Sequence, residues 1–486
     1  MKISISYPPL ESDKGIPLLS QNRQFQWFSN PTYIYPMVPS SAATLLKSKG
    51  YEVLWDDAIA RGLSFKQWLD NIEKHQPDII AIESKTPVIK RHWKIIQQLK
   101  ELHWSPVIVL FGDHVTALPA ESMEHCPVDF VITGGDYDFV LSDLVDFLAQ
   151  NNKQNRLPQG VWYRRNNEIH NTGSPDLKHD LNTLPVIDRD LTCWDFYSRQ
   201  NGNFKFKPGT YVMAGRDCWW GKCSFCSWTT LFPGDSYRTV SVERHIDEIE
   251  NLVEKYGVRE IFDDSGCFPK GDWLEKFCMG IIDRGLHNKV TLGCNMRVGA
   301  LSPEQWRLMK QANFRFILIG LESVNQSTLD RINKAIKVKQ IEETIRSCKA
   351  AGLEPHITTM VGYPWETKEE AENTINFAKK MFTKGYLDTL QATIVVPYPG
   401  TPLFEEARKN GWLTTENWDD YDMKQSVWNS PVSNEDVLRY TQGLYKAALS
   451  PSFIFRKLVS IRNPDDLKFL LRAGGKVFAH LADFKR

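Results

Sequence analysis

Three cysteines stand close together in the run Arg216-Asp-Cys-Trp-Trp-Gly-Lys-Cys-Ser-Phe-Cys-Ser-Trp228. They are Cys218, Cys223 and Cys226, spaced C-x4-C-x2-C, with Phe225 just before the last. Thiolates are the soft ligands of iron–sulfur clusters and of zinc. Three of them from one short loop can hold three irons of a four-iron cluster and leave the fourth open to another ligand. An open iron means chemistry at that iron as well as electron storage. Zinc is the alternative, but a structural zinc site needs four ligands, usually as two spaced pairs. The other cysteines (Cys126, Cys193, Cys267, Cys278, Cys294 and Cys348) are isolated in sequence, and none stands at ligand spacing from a histidine. His245 is a remote fourth candidate on an amphipathic helix.

Rigid elements must hold such a loop, and the flanking sequence supplies them. From Gly209 to about Val427, short apolar runs alternate with amphipathic segments. Candidate strands are Tyr211–Ala214, Glu260–Asp263, Val290–Asn295, Phe316–Gly320, His356–Val361 and Gln391–Val396, with helical patterns such as Val242–Lys255, Trp273–Arg284, Glu304–Gln311 and Lys339–Ala351. Six βα units predict a partial (β/α)6 barrel of the TIM type, not a closed eight-stranded one. The cysteine loop follows the first strand, which puts it on the C-terminal face where barrel enzymes keep their chemistry.

Upstream, residues 1–150 alternate in the same way. Lys2–Ser6, Glu52–Trp55, Ile79–Ile82, Val107–Phe111 and Phe130–Ile132 read as strands, and Ser40–Lys49, Ile89–Leu102 and Phe139–Gln150 as helices. This α/β pattern predicts a parallel, doubly wound, Rossmann-like sheet. Its ligands would sit at the carboxyl ends of the strands. The loops there are Tyr7-Pro8-Pro9-Leu10, Glu83-Ser84-Lys85-Thr86, Gly112-Asp-His114-Val-Thr116 and Thr133-Gly134-Gly135-Asp136. Residues 151–204, rich in Asn, Asp and Pro, read as a connector with a small hairpin at Val161–Arg165 and Asn166-Asn167. The barrel is assigned to 205–430 and a C-terminal helical cap to 431–486. Beyond residue 450 the cap is basic: Arg456, Lys457, Arg462, Lys468, Arg472, Lys476, Lys485 and Arg486 face only Asp465, Asp466 and Asp483, with Phe453, Phe455, Leu458, Phe469, Leu470 and Leu471 supplying apolar faces. A solvated cap is the plainer reading, and weak contact with a membrane surface or another anionic partner is the alternative.

Composition bounds the rest. The chain has 486 residues, 42% hydrophobic and 24% charged, with formal net charge zero, which gives no global pull toward nucleic acid. Met1–Tyr7 is too short and polar for a signal peptide, and no apolar run approaches a membrane span. Nine scattered cysteines argue against a disulfide framework and for a reducing, cytoplasmic setting. Sixteen tryptophans suggest a cavity for a large or flat ligand.

The cysteine loop resembles the cluster site of radical S-adenosylmethionine (SAM) enzymes. The whole chain is similar to the branch of that family with an N-terminal cobalamin-binding domain. The commonest family spacing is C-x3-C-x2-C, so this loop carries one extra residue. Further segments resemble the family in order: Asp263-Asp264, Asn295-Met-Arg297, Gly320-Leu-Glu322-Ser323, Gly362-Tyr-Pro364-Trp-Glu-Thr367 and Pro397-Tyr398-Pro-Gly-Thr-Pro402, each after a predicted strand. Two loops depart from the family pattern, Phe111-Gly-Asp-His-Val-Thr116 and Gly134-Gly-Asp-Tyr-Asp138, and no Asp-x-His-x-x-Gly run offers a histidine to cobalt from below.

The resemblance implies a 4Fe-4S cluster on Cys218, Cys223 and Cys226. It implies SAM beside Phe225, Asp264, Arg297, Glu322, Gly362 and Pro364. Cobalamin would lie near Tyr7, Pro8, Pro9, Ser84, Thr86, Gly112, His114, Gly134 and Gly135, and substrate near Trp219, Trp220 and Tyr398. The implied reaction is reductive cleavage of SAM to a 5′-deoxyadenosyl radical, followed by methylation of an unactivated carbon. Radical cyclisation, oxidation or rearrangement, with cobalamin as redox partner or absent, is the alternative. A non-catalytic iron–sulfur or SAM-binding module is a third reading. The implied partners are a small-molecule, lipid or peptide substrate and an electron donor such as flavodoxin or ferredoxin. The loop with Trp219-Trp220-Gly221 is similar to that of members acting on ribosomally made peptides.

Overall fold

A computed structural model of the chain describes residues 1–17, 19, 25, 27–150, 156–201, 204–447 and 450–483. Two sheets carry it. In the first, strands lie in the order Glu52–Asp57, Lys2–Tyr7, Ile79–Glu83, Val107–Phe111, Phe130–Ile132, all parallel. Numbered along the chain this is 2-1-3-4-5, a doubly wound order. Runs such as Ile79-Ile-Ala-Ile82 are continuously apolar because helices such as Met37–Ser48, Ile89–Lys100 and Tyr137–Leu148 flank a sheet whose central strands are buried throughout. The hairpin Val161–Arg165/Glu168–Asn171, inside the expected connector, extends this sheet antiparallel at its edge. The strand order reverses between Lys2–Tyr7 and Ile79–Glu83, and the crevice outside their carboxyl ends is where such sheets bind ligands.

The second sheet runs Gly209–Val212, Glu260–Asp263, Thr291–Arg297, Phe314–Glu322, Glu354–Val361, Thr389–Ile394, in chain order and all parallel. This is the open six-stranded barrel that the sequence pattern predicts. Helices wrap it, and each has a readable start. Ser302 and Thr367 form capping boxes with Gln305 and Glu370. Thr401 caps the helix Pro402–Lys409, with Pro402 in its first turn. The threonines of the Glu-Thr and Gly-Thr-Pro segments are therefore helix starts.

The tail forms helices Asn434–Ala447, Pro451–Val459 and Pro464–Asp483. Of its basic residues, Lys485 and Arg486 lie outside the described residues, as does the side chain of Lys476. Among the described residues no helix is long and apolar enough to cross a membrane.

Candidate active site

The cysteine loop leaves the first barrel strand at a strained residue. Asp217 has φ +83° and is buried; its Oδ1 accepts from the Cys218 N–H and its Oδ2 from the Ser236 hydroxyl at 3.1 Å. Burial pushes this carboxyl up to about 7. Backbone bonds pin the middle of the loop: Ser224 N donates to Ile332 O at 2.9 Å, and Leu403 N donates to Ser224 O at 2.9 Å. The cluster loop thus rests on segments that follow the fourth and sixth strands.

The three thiols feel one another's charge, with burial as the main cause holding Cys223 and Cys226 above the ordinary thiol value. Cys218 differs. A hydrogen bond from Cys267 draws it down to about 6, and the N–H groups of Gly221 and Trp220 and the charge of Arg297 add to this. Cys267 reads as isolated in sequence, yet the turn after Glu260–Asp263 carries it under Cys218. His245, the remote zinc candidate, sits 3.1 Å from Asp263 Oδ2 and packs against Trp273 and Phe277. Among the described residues no three His, Cys, Asp or Glu side chains gather around a single ion. Three cysteines would each bind a different iron of a four-iron cube, so ligands to it stand farther apart than ligands to one ion. Three thiols from one loop, Cys223 buried and Cys218 and Cys226 half-buried, with cations beside them, fit such a group.

Arg297 ends the third strand and turns to this loop. Its Nη1 lies 3.8 Å from Cys223 Sγ, its Nη2 donates to Lys334 O, and its guanidinium stacks 5.4 Å from the Trp219 ring and 4.9 Å from that of Trp220. Both indole N–H groups are spent on backbone, Trp219 on Phe268 O at 3.2 Å and Trp220 on Asn333 O at 2.8 Å. The residues expected at the substrate therefore brace the arginine. Tyr398 donates to Tyr421 O at 3.1 Å and packs beside Val396 and Phe404.

Glu322 follows a bulge in the fourth strand and has φ +64°. Its Oε1 accepts from Lys334 Nζ at 2.7 Å, and both residues are buried. Burial opposes the ammonium of Lys334, but the charges of Glu322 and Cys223 outweigh it and raise its pKa. Lys334 Nζ also lies 5.7 Å from the centre of the Phe225 ring. Lys334 escapes a sequence reading because it sits in an irregular turn, between Asn333 and Ala335 at φ +52° each.

Ser323 donates to Glu366 Oε1 at 2.8 Å, so the Glu-Ser and Glu-Thr segments lock together. Asp264 is buried, its N–H bonded to Val212 O at 2.8 Å. Gly362, at φ +97°, exposes its carbonyl to Trp428 Nε1 at 2.8 Å, and Pro364 is half-buried nearby. Between them the Tyr363 hydroxyl is fully buried and has no hydrogen-bond partner among the described residues. It lies within the charge fields of Glu322, Glu366 and Cys223. An orphaned hydroxyl with an ion pair and a thiol in its surroundings fits the zwitterionic amino-acid end of a ligand such as SAM.

The first sheet turns its loops toward this face. Tyr7 donates to Glu83 Oε2 at 2.5 Å across the point where strand order reverses, and Pro8 and Pro9 are buried. Ser84 bonds His92 Nδ1 at 2.7 Å; His114 bonds Thr86 Oγ1 at 3.2 Å and Glu121 Oε2 at 3.0 Å. Gly112, at φ +123°, lets the backbone pass Ser84: a Cβ there would lie 2.2 Å from Ser84 O. A cleft of about 640 Å³ opens between residues 116–121, the edge hairpin of the first sheet and the segment just after Cys226, and none of the nine residues expected at cobalamin lines it. Thr116, Thr133 and Thr230 line it with Leu118, Pro119 and Trp162, and the buried Thr230 hydroxyl has no partner among the described residues. Apolar walls with a few hydroxyls suit part of a bulky cofactor with polar arms. At its edge Gly400, φ +81°, packs so closely that a Cβ would lie 2.6 Å from Thr230 Cγ2 and 2.8 Å from Ala117 Cβ.

Residues 213–378 match the radical SAM superfamily. The chain is 30% identical over 367 residues to the uncharacterized methyltransferase PH0819 of Pyrococcus horikoshii, covering 75% of this chain and 77% of that protein. It is 29% identical over 374 residues to the anaerobic magnesium-protoporphyrin IX monomethyl ester cyclase of Cereibacter sphaeroides, covering 75% of this chain but only 58% of the cyclase. Among solved structures, OxsB, a cobalamin-dependent SAM radical enzyme with aqua-cobalamin and SAM bound, superposes with TM-score 0.70 at 16% identity over 99% of this chain and 71% of that one. TsrM of Kitasatospora setae, a radical SAM methyltransferase with cobalamin and a 4Fe-4S cluster bound, superposes with TM-score 0.67 at 14% identity over 91% of this chain and 90% of that one. Both likenesses concern the fold: a Rossmann-like sheet ahead of an open barrel. With its cysteine loop on the C-terminal face of such a barrel, this chain belongs to the radical SAM superfamily, in the branch whose barrel follows a Rossmann-like domain.

Proposed function

We propose that the chain is a cobalamin-dependent radical SAM enzyme that methylates an unactivated carbon. Residues 1–150 form its cobalamin-binding part, 205–430 its catalytic barrel and 431–486 its cap. The observation that carries this reading is the cleft at Thr116, Thr133 and Thr230, which sets first-sheet loops directly against the segment after Cys226.

When bound, cluster, SAM and cobalamin would supply a 5′-deoxyadenosyl radical and a transferable methyl group. The chain's own residues bind, orient and shield. Cys218, Cys223 and Cys226 hold the cluster. Arg297 compensates thiolate charge, and its backing by Trp219 and Trp220 fixes its direction. Lys334 and Glu322 offer opposite charges to the SAM carboxylate and amino group, assisted by Asp264 and the Tyr363 hydroxyl. Phe225, Gly362 and Pro364 close around the adenosyl part. Tyr7, Pro8, Pro9, Ser84, Thr86, Gly112, His114, Gly134 and Gly135 border the cobalamin. Both ring nitrogens of His114 are engaged, which suits a cobalt with no histidine below it.

The substrate is a small molecule, lipid or peptide, the electron donor a flavodoxin or ferredoxin, and the location cytoplasmic. The C-terminal helices make a weak contact with an anionic membrane surface.

One incubation tests the reading. The anaerobically reconstituted chain, given SAM, reductant and cobalamin, should release 5′-deoxyadenosine and, with its substrate, S-adenosylhomocysteine. No 5′-deoxyadenosine under any reductant would overturn it. Deoxyadenosine without S-adenosylhomocysteine, with substrate present, would leave radical cyclisation, oxidation or rearrangement.

A further inference from the structure

The cysteine loop hangs from a very short stem. Gly215 and Arg216 pair antiparallel with Thr239 and Arg238, and everything between is the loop. A two-residue ladder is too small to fix its own geometry. Among the described residues the barrel holds it at one point, Gly215 N donating to Ser265 Oγ at 2.9 Å, and the charged groups that hold it come from the other sheet.

Asp136 and Asp138 follow the last parallel strand of the first sheet, and neither side chain is exposed. Arg216 Nη1 donates to Asp138 Oδ1 at 2.7 Å and to Asp136 Oδ1 at 3.1 Å, and Nη2 completes a bidentate contact with Asp138 Oδ2. Arg238, across the stem, donates to both oxygens of Asp136 at 2.6 and 2.8 Å. His179 Nδ1 stands 2.9 Å from Asp136 Oδ2, and its ring stacks on Phe139 at 4.4 Å. Two cations on the stem meet two carboxylates from the other sheet, and the fork geometry of arginine fixes direction as well as distance.

The glycine before Asp136 serves the same contact. Gly135 N donates to Leu231 O at 2.9 Å, and a Cβ on Gly135 would lie 2.1 Å from Phe232 Cζ. Gly135 is thus pressed onto the segment that follows the cysteines.

We propose that Asp136 and Asp138 are positioning residues for the iron–sulfur cluster, setting from the first sheet the stem from which Cys218 hangs. This rests on the cysteine loop holding a cluster, as proposed above. It makes the first sheet part of the cluster site, whatever else that sheet binds.

The test uses the full-length chain. Three variants, Asp138→Asn, Arg216→Lys and the control Asp143→Asn, farther along the same helix Tyr137–Leu148, are compared with wild type. Hydrogen exchange is read at residues 217–237 in the metal-free chain; iron content and the electron paramagnetic resonance spectrum of the reduced cluster, with and without SAM, are read after reconstitution. Asp138→Asn should speed exchange in 217–237 at least tenfold, at least halve the iron and alter the SAM-dependent spectrum. Arg216→Lys, which keeps the charge and loses the fork, should fall between, and Asp143→Asn should match wild type. Wild-type exchange and spectra in Asp138→Asn would overturn the proposal. Should Asp138→Asn fail to fold by circular dichroism, Arg238→Gln at the half-buried side of the stem takes its place under the same criteria. If wild type itself takes up no iron, the functional reading fails, while the exchange comparison still decides whether the two carboxylates order the loop.

Discussion

Arg297 Nη1 lies 3.8 Å from Cys223 Sγ, with two indole rings against its guanidinium. Hydrogen bonds and positive charge at a cluster sulfur favour the more negative, reduced cluster and raise its potential. Arg297→Met should therefore lower the midpoint potential by about 60 mV, a tenfold change for a one-electron couple. A redox titration followed by electron paramagnetic resonance measures it. An unshifted potential would mean that the arginine does not act on the sulfur.

Gly320 stands where the Glu322–Lys334 pair needs room. A Cβ there would lie 2.5 Å from Glu322 Oε1 and 2.8 Å from Lys334 Nζ. Gly320→Ala should push the pair aside while leaving the strand intact. SAM binding, measured calorimetrically on the reconstituted chain, should weaken about tenfold, or 1.4 kcal/mol. Iron content should stay at the wild-type level, and unchanged SAM affinity would remove the pair from the SAM site.

The central strands of the first sheet were legible because burial on two faces forces continuous apolar runs: Val107–Phe111 and the Ile79-Ile-Ala-Ile82 run need no tertiary knowledge. The cysteine triplet was legible because its ligands are local. What escaped is what only the folded chain brings together. Cys267 meets Cys218 because two loops share one face of the barrel. Lys334 meets Glu322 from an irregular turn with no period. The Arg216–Arg238 stem has two residues on each side, too few to make a pattern. The resemblance named Arg297 for SAM and Trp219 for substrate, and it could not say that they would pack on each other.

Glu83 gives the fold a pH dependence. Burial pushes its carboxyl from 4.5 to about 7, against the pull of Lys85 and the Tyr7 hydrogen bond, with Asp113 and Asp57 adding to the rise. The folded chain keeps this proton to higher pH than the unfolded chain does. The stabilising contribution is complete below 4.5 and is lost as pH climbs through 7. At 1.36 kcal/mol per unit the difference is about 3 kcal/mol. Urea unfolding of the metal-free chain at about pH 5 and pH 8 should show Glu83→Gln losing less stability than wild type by roughly that amount. Equal losses would mean that Glu83 ionises as it does in water.

The tail leaves apolar surface uncovered. Among the described residues nine large hydrophobic side chains are exposed, and six of them are Ile454, Phe455, Leu458, Val459, Leu467 and Leu471. Ile454, Phe455, Leu458 and Val459 share one side of the helix Pro451–Val459. The acids nearby are neutralised from the body of the protein, Asp465 by Arg259 at 2.8 Å and Asp466 by Lys205 at 2.7 Å. Arg462 and Lys468 are exposed beside the stripe. Apolar side chains flanked by uncompensated cations suit the interface of an anionic bilayer, where area and charge add. The full chain should co-float with phosphatidylglycerol vesicles and much less with phosphatidylcholine vesicles, and raised salt should weaken the binding. Phe455→Glu with Leu458→Glu should cut it at least tenfold while leaving iron uptake unchanged. Equal binding to both vesicle types would exclude the charge component, and self-association of the wild type that the double variant abolishes would assign the stripe to a second copy of the chain.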